Sequence, residues 1–197
     1  VQPAGYDVWM GAADTSWTNA SNWSAGVPSS STPVFIPFAT TNAGLGESHP
    51  GLAASAAVGT LRMENAARLE LHNQALQLYG NLEHSGTGAT VWPAQSGGSG
   101  YVEMMTAGTN IAASVPYPLH IGDTGMACAG ATPVTVSGLD SATTIEVDCP
   151  VAVTGGGTNW FTSRGDVNVQ HHGTLTMSGS SNWLYVEGNL NITSDQS

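Results

Sequence analysis

The stretch "LRMENAARLELHNQALQLYGNLEH" (61–84) consists of short runs in which apolar and polar residues alternate. Breaks of a few Asn, Ala, Gly or Gln residues separate the runs. Alternation with a period of two is typical of strands with one buried face, and the runs are too short and too often interrupted for helices. The residues expected to face the core are Leu61, Met63, Leu69, Leu71, Leu76, Leu78 and Leu82.

The same pattern returns near the C-terminus in "VNVQHHGTLTMSGSSNWLYVEGNLNI" (167–192). Leu61 aligns with Val167, and after a two-residue insertion "LQLYGNL" (76–82) aligns with "LYVEGNL" (184–190). The two copies share a Gly-Asn-Leu at matching positions. A repeat of short strands indicates units that cannot bury a face alone and must stack on one another.

We therefore expect an all-β fold, a right-handed parallel β-solenoid (β-helix) with an N-terminal cap. A turn of roughly 20 to 25 residues would give about six or seven turns. A β-sandwich is the alternative, because it also combines alternating strands with frequent turns. We expect one continuous domain, with a cap and lead-in over 1–57 and solenoid turns over 58–197, interrupted by an irregular loop at about 84–100.

The composition excludes several classes of partner. Only 9% of the residues are charged, the net charge is −11, and the basic residues are limited to Arg62, Arg68 and Arg164. A nucleic-acid partner requires many cations to neutralise phosphates, so we expect no nucleic-acid binding. No stretch reaches the length of a membrane-spanning helix, so we expect no membrane insertion.

The two cysteines, Cys128 and Cys149, are expected to form a disulfide in an oxidising compartment. Closing a loop of this size would add about 3 kcal/mol on the chain-entropy model. The alternative is a pair of buried thiols. The chain begins without methionine, as a secreted protein does after signal-peptide removal, so we expect an extracellular or cell-surface location.

Three Asn-x-Ser/Thr sequons, at Asn19, Asn22 and Asn191, are candidate glycosylation sites. They matter only if the source organism glycosylates its proteins. Such matches also arise often by chance in a chain rich in Ser and Thr.

Glu146 and Asp148 are the best candidates for carbohydrate chemistry, since they would lie on one strand face about 7 Å apart. That separation falls within the range used by inverting glycosidases, and an exposed Trp160 would stack on a sugar ring. The alternative is an ordinary outward strand face. No metal-ligand spacing, phosphate loop or nucleophile motif is present in the sequence, so we expect no enzymatic activity, no metal and no cofactor.

The leader "DVWMGAADTSWTNASNWSAGVPSSSTPVFIP" (7–37) resembles the W-x-G…NW-x-x-G-x-P segment that precedes solenoid regions in secreted bacterial surface proteins, such as autotransporter passengers and adhesins. The resemblance implies an extracellular β-solenoid with an adhesive, matrix or fibre-forming role, and it supplies no catalytic residue. The first turn of a solenoid needs a cover for its apolar end. We assign that N-terminal cap to Trp9, Trp17, Trp23 and Pro28.

The expected function is that of a non-enzymatic extracellular structural protein. No capping helix or repeat follows the last strand pattern in "NLNITSDQS" (189–197), and an open end favours self-assembly. We expect subunits to stack head to tail into a homopolymer that forms a surface fibre, filament or sheath. The alternatives are a carbohydrate-active or carbohydrate-binding β-helix, and a monomeric adhesin module that binds polysaccharide or cell-surface components.

Overall fold

The computed structural model describes residues 3–38, 40–42, 46–64, 67–85, 99–113, 115, 117–122, 132–137, 139–142, 144–153, 159–178 and 182–193. The chain divides into two compact units, Val1–Tyr101 and Val102–Ser197, where the sequence predicted one continuous domain. Each unit is built from short strands with very little helix. In both, parallel strands stack as a β-solenoid, about six turns in all, so the predicted solenoid is confirmed.

The strands of the first unit are β1 (Asp7–Val8), β2 (Val34–Ile36), β3 (Thr40–Asn42), β4 (Gly46–Ser48), β5 (Ala56–Val58), β6 (Leu61–Glu64), β7 (Ala75–Leu78) and β8 (Leu82–Ser85). Strands β1, β2, β6 and β8 form one parallel stack, and β5 pairs with β7 in a second. On a third side, single parallel bridges link Ser16 to Gly51 and Gly51 to Glu70. Each turn of this unit therefore has three sides.

The remaining strands are β9 (Tyr101–Met104), β10 (Asn110–Ala112), β11 (Leu119–Ile121), β12 (Val134–Val136), β13 (Leu139–Ala142), β14 (Ile145–Val147), β15 (Pro150–Val153), β16 (Asn159–Ser163), β17 (Val167–Val169), β18 (Thr174–Met177), β19 (Asn182–Val186) and β20 (Leu190–Ile192). They form three parallel stacks: β9-β11-β14-β17-β20, β10-β12-β15-β18 and β13-β16-β19. Only β3 and β4 pair as antiparallel strands among the described residues, so the sandwich alternative is wrong.

The core consists of columns of apolar residues that repeat once per turn. Leu61 lies opposite Leu82 in the first unit, and Val167 lies opposite Leu190 in the second. The aligned stretches of the sequence repeat therefore each complete one full turn. All seven apolar residues predicted from 61–84 are fully buried, each contributing roughly 1.5–3 kcal/mol of transfer free energy.

The boundary predicted after residue 57 does not match the strand stacks. Strands β1 and β2 lie in the same ladder as β6, and β5 pairs with β7. The lead-in therefore already forms part of the solenoid. Of the loop predicted at about 84–100, residues 86–98 lie outside the described residues.

The Gly-Asn-Leu motif marks the corner at which a turn closes. A Cβ atom on Gly80 would lie 2.8 Å from the Thr60 nitrogen and 2.9 Å from the Gly59 carbonyl carbon. The next residue, Asn81, accepts a 2.9 Å hydrogen bond from the Leu61 amide. Only glycine lets the backbone come this close to the preceding turn.

The second copy of the motif has the same geometry. A Cβ atom on Gly188 would lie 2.6 Å from the Gly165 carbonyl carbon and 2.8 Å from the Asp166 nitrogen. Asn189 accepts a 2.8 Å bond from the Val167 amide, and its own amide donates to the Asp166 carboxylate at 2.8 Å. The shared sequence thus reflects a shared backbone contact between successive turns.

Replacing either glycine of this motif with alanine should destabilise its unit. Gly80→Ala and Gly188→Ala each force a methyl group against backbone, and overpacking of this kind costs about 1–3 kcal/mol. Urea unfolding followed by circular dichroism measures the change.

The control is Asn81→Ala, which keeps the backbone bond to Leu61 and adds no atom at the contact. It removes the 3.3 Å hydrogen bond from Asn81 Nδ2 to Glu83, so its unfolding midpoint should fall, but by less than that of either glycine variant. Midpoints for Gly80→Ala and Gly188→Ala no lower than this control would refute the close-approach explanation.

Candidate functional site

The three tryptophans predicted as the cap form one buried aromatic cluster in the first unit. The ring centroids of Trp9 and Trp23 lie 5.0 Å apart and those of Trp17 and Trp23 lie 4.7 Å apart, both edge to face. The Trp23 indole nitrogen donates to the Trp17 carbonyl at 2.7 Å, which satisfies its polar atom. Pro28 is partly exposed, in the turn that precedes β2.

Asn22 holds the leader together through four hydrogen bonds. Its Oδ1 accepts from the backbone amides of Ala13 at 2.8 Å and Asp14 at 3.1 Å. Its Nδ2 donates to the Asp14 carboxylate at 2.6 Å and to the Ser16 carbonyl at 2.9 Å. Because Asn22 is fully buried and its Nδ2 donates twice, the folded leader has no room for a glycan at this sequon.

Asp14 is the charged member of this network. Hydrogen bonds from the Asn19 side chain, the Ser16 amide and the Asn22 side chain hold the pKa of its carboxyl below the usual value. The ionised form therefore serves as an acceptor for the folded loop. This arrangement explains why the leader places an aspartate eight residues before Asn22.

The outer edge of β1 is occupied by the leader itself. The Val8 amide donates to Ser24 Oγ at 2.9 Å, and the Ser24 amide donates back to the Val8 carbonyl at 3.0 Å. The Met10 amide donates to the Asn22 carbonyl at 2.7 Å. The backbone groups that would otherwise recruit another strand are thus paired, and this end of the stack is closed.

The last strands of the three stacks in the second unit present the opposite situation. Leu190 and Ile192 are 47% and 70% exposed, whereas their partners on the preceding turn, Val167 and Val169, are 0% and 6% exposed. Met177 of β18 is also exposed. The residues that continue the core columns therefore form an exposed apolar face, which we call the C-terminal end face (β18, β19 and β20).

The C-terminal end face also lacks charge. The sequences of its strands are TLTM (174–177), NWLYV (182–186) and LNI (190–192). Natural proteins commonly protect exposed edge strands with charged residues or proline, and none occurs in these strands. This edge is consequently well suited to pairing with another strand.

The structure separates the residues predicted as a carbohydrate face. Glu146 lies on β14, and Asp148 follows that strand, nearly buried, with its Oδ1 2.6 Å from His171 Nδ1. Trp160 lies on β16, which belongs to a different sheet. The two carboxylates are close in the chain, and the strand of Trp160 pairs with β13 and β19, not with β14.

The outer face of the stack β9-β11-β14-β17-β20 carries a column of polar residues, one per turn. In register it contains Glu103, His120, Glu146, Asn168 and Asn191. His120 Nε2 lies 3.6 Å from the Glu146 carboxylate, and Asn191 donates to the Asn168 amide oxygen at 2.8 Å. Such pairs connect the outer surface of successive turns in the way cross-strand pairs do in a sheet.

Carboxylates also pair with histidines at the turns. Besides the Asp148–His171 pair, Glu70 contacts His49 at 2.9 Å and His72 at 3.6 Å. His72 and His171 both adopt positive φ angles, 51° and 53°. Sequence reasoning missed these pairs because their partners lie on neighbouring turns or across a tight turn.

A cleft of about 390 Å³ in the first unit lies between residues 14–16, 51–53 and His72. A Cβ atom on Gly51 would approach His72 Nε2 at 3.2 Å, so a side chain at this position would press against the His72 ring. The Asp14 carboxylate in its wall is engaged by the leader and is a poor candidate for a catalytic base. Within the described ranges, no group of three His, Cys, Asp or Glu side chains is arranged to hold a metal ion.

The cysteine and the other sequon positions have the following environments. Cys149 is buried against Gly122, where a side chain would collide with its sulfur, and Cys128 lies outside the described residues, so the disulfide stays a prediction. Asn19 is partly exposed and donates to Asp14, and Asn191 is exposed on β20.

No helix among the described residues is long and apolar enough to cross a membrane.

Replacing Asn22 with alanine should unfold the leader. The change leaves the amides of Ala13 and Asp14 and the carbonyl of Ser16 without this partner, at a cost of about 2–4 kcal/mol. Asn22→Asp should also destabilise, because it puts a second carboxylate beside Asp14. Tryptophan fluorescence during urea unfolding reports both changes.

The matched control is Ser31→Ala, an exposed leader position, which should leave the midpoint nearly unchanged. A wild-type midpoint for Asn22→Ala would show that this network does not stabilise the leader.

In comparisons with known proteins, no family model, curated protein or solved structure matches the chain.

Proposed function

We propose that this protein is a non-enzymatic, extracellular structural β-solenoid that self-associates through its C-terminal end face. The observation that carries the proposal is the exposure of Leu190 and Ile192, which continue core columns that are otherwise buried. A second copy that packs against this face would bury them.

Two forces favour this contact. Burial of the exposed apolar side chains contributes roughly 25 cal/mol per Å² of apolar surface removed from water. The backbone groups along β18, β19 and β20 gain hydrogen-bond partners, as in other cases of strand addition. Neither force requires a charged residue at the contact.

The closed edge of β1 bears on the symmetry of the assembly. A head-to-tail polymer requires a free edge at both ends, but Ser24 and Asn22 occupy the edge of β1. A two-fold contact between two C-terminal end faces needs no displacement of the leader. We therefore favour a dimer of this kind. The two solenoids have the same handedness but run in opposite directions, so the contacting strands are antiparallel.

Self-association should depend on Ile192. Sedimentation over a wide concentration range should show a monomer–dimer equilibrium for the wild type. Ile192→Asp places a charge on the end face and should weaken dimerisation at least tenfold, without destabilising the monomer, because this side chain is 70% exposed.

Ser31→Asp is the control, because it adds the same charge at an exposed position of the leader. Filaments in electron microscopy would favour head-to-tail stacking over the two-fold contact. Monomers at every concentration would contradict self-association altogether.

The proposal includes a disulfide between Cys128 and Cys149, which an oxidising compartment would maintain and which is directly measurable. Under denaturing conditions without reductant, an alkylating reagent should modify neither cysteine, and after reduction it should modify both. The Cys128→Ser/Cys149→Ser variant should lose about 3 kcal/mol of stability on the chain-entropy model. Alkylation of both cysteines before reduction would contradict this part of the proposal.

A further inference from the structure

We infer that the outer face of β19 binds an uncharged polysaccharide, with Trp183 and Tyr185 as its stacking platform. The two side chains are 56% and 54% exposed. The residues between and after them, Leu184 and Val186, are half-buried, and Leu184 lies opposite the fully buried Phe161. Trp183 and Tyr185 therefore project outward from one strand, about 7 Å apart.

The aromatic pair is exposed for a reason other than the open end of the stack. Leu190 and Ile192 continue the inner core columns, so another turn would bury them. Trp183 and Tyr185 alternate with the inner residues and lie on the outer face of the sheet, which a further turn would leave exposed. Two large aromatic side chains in a row on a solvent face indicate a binding surface.

The backbone beneath the platform is fixed by its pairing. All five residues of β19 pair in register with β16, from Asn159–Asn182 to Ser163–Val186. In this register Trp183 lies opposite Trp160 of the preceding turn. A strand held along its full length loses little conformational entropy when a ligand binds, so the platform is preorganised.

The negative charge of the protein disfavours anionic ligands at this platform. Strands β16 and β19 contain no charged residue, and the chain carries a net charge of −11. Nucleic acids also stack on aromatic side chains, but they and acidic polysaccharides would be repelled by this charge. A sugar ring presents a C–H face to the aromatic rings and hydroxyl groups to neighbours such as Thr162 and the Tyr185 hydroxyl.

Affinity electrophoresis in gels that contain a soluble polysaccharide tests the inference. The probes are a β-1,4-glucan, a β-1,3-glucan and a mannan, with polygalacturonate as the acidic comparison. We expect at least one neutral polysaccharide to retard the wild type and polygalacturonate to leave its mobility unchanged. Trp183→Ala/Tyr185→Ala should weaken that retardation at least tenfold.

Two controls separate this site from other effects. Tyr79→Ala removes an exposed tyrosine of the first unit and should retain binding. Ile192→Asp, which targets self-association, should also retain binding, so failure of the proposed dimer leaves this inference intact. Circular dichroism and the urea midpoint should be unchanged in all variants.

Three results would overturn the inference. The first is the absence of retardation by every neutral polysaccharide. The second is equal retardation of wild type and the double variant. The third is a double variant that loses dimerisation while its polysaccharide binding is unchanged, which would identify the face as a protein contact.

Discussion

The stacking of each turn on the one before it is the interaction on which the structure depends. Strands of two to five residues have too little area to bury a face by themselves. In register with a neighbour they bury Leu61 under Leu82 and Ile145 under Val167, and their backbone groups find partners at the same time. Each turn thus covers its neighbours and is covered by them. A terminal turn has a neighbour on one side only, so its other side must be covered in another way.

The corners and the outer surface follow from this stacking. Successive turns approach so closely at Gly80 and Gly188 that a methyl group would meet backbone atoms. On the outside, the same register places His120 beside Glu146 and Asn191 beside Asn168. The polar side chains of this face thus pair between turns, where each pair contributes about 0.2–1 kcal/mol.

Sequence alone predicts the inner face of the fold well, because burial imposes a local alternation that needs no knowledge of the partner strand. Leu69, Leu71 and Leu76 were identified in this way, and all are fully buried. The outer face is different, because its pairs depend on the number of residues between strands. Ile145 pairs with Leu119 of the preceding turn and with Val167 of the following turn, and more residues separate Leu119 from Ile145 than separate Ile145 from Val167. Because the number of residues per turn varies, no fixed sequence period predicts that His120 lies beside Glu146. The leader shows the same limit: its tryptophans indicate a cluster, but nothing local marks Asn22 as its central hydrogen-bonding residue.

Self-association has to overcome repulsion between copies that each carry a net charge of −11. The three strands of the C-terminal end face contain no acid, so no carboxylate on these strands has to lose its hydration when two of these faces meet, and the exposed Glu187 lies just beyond the end of β19. The repulsion acts instead from charges outside the contact, across solvent, where the Debye length is about 8 Å at physiological ionic strength. Salt should therefore strengthen the association, whereas it weakens contacts built on opposite charges. The strand that carries the aromatic pair contains no charged residue, and the acids elsewhere in the chain keep the protein in solution and repel anionic partners.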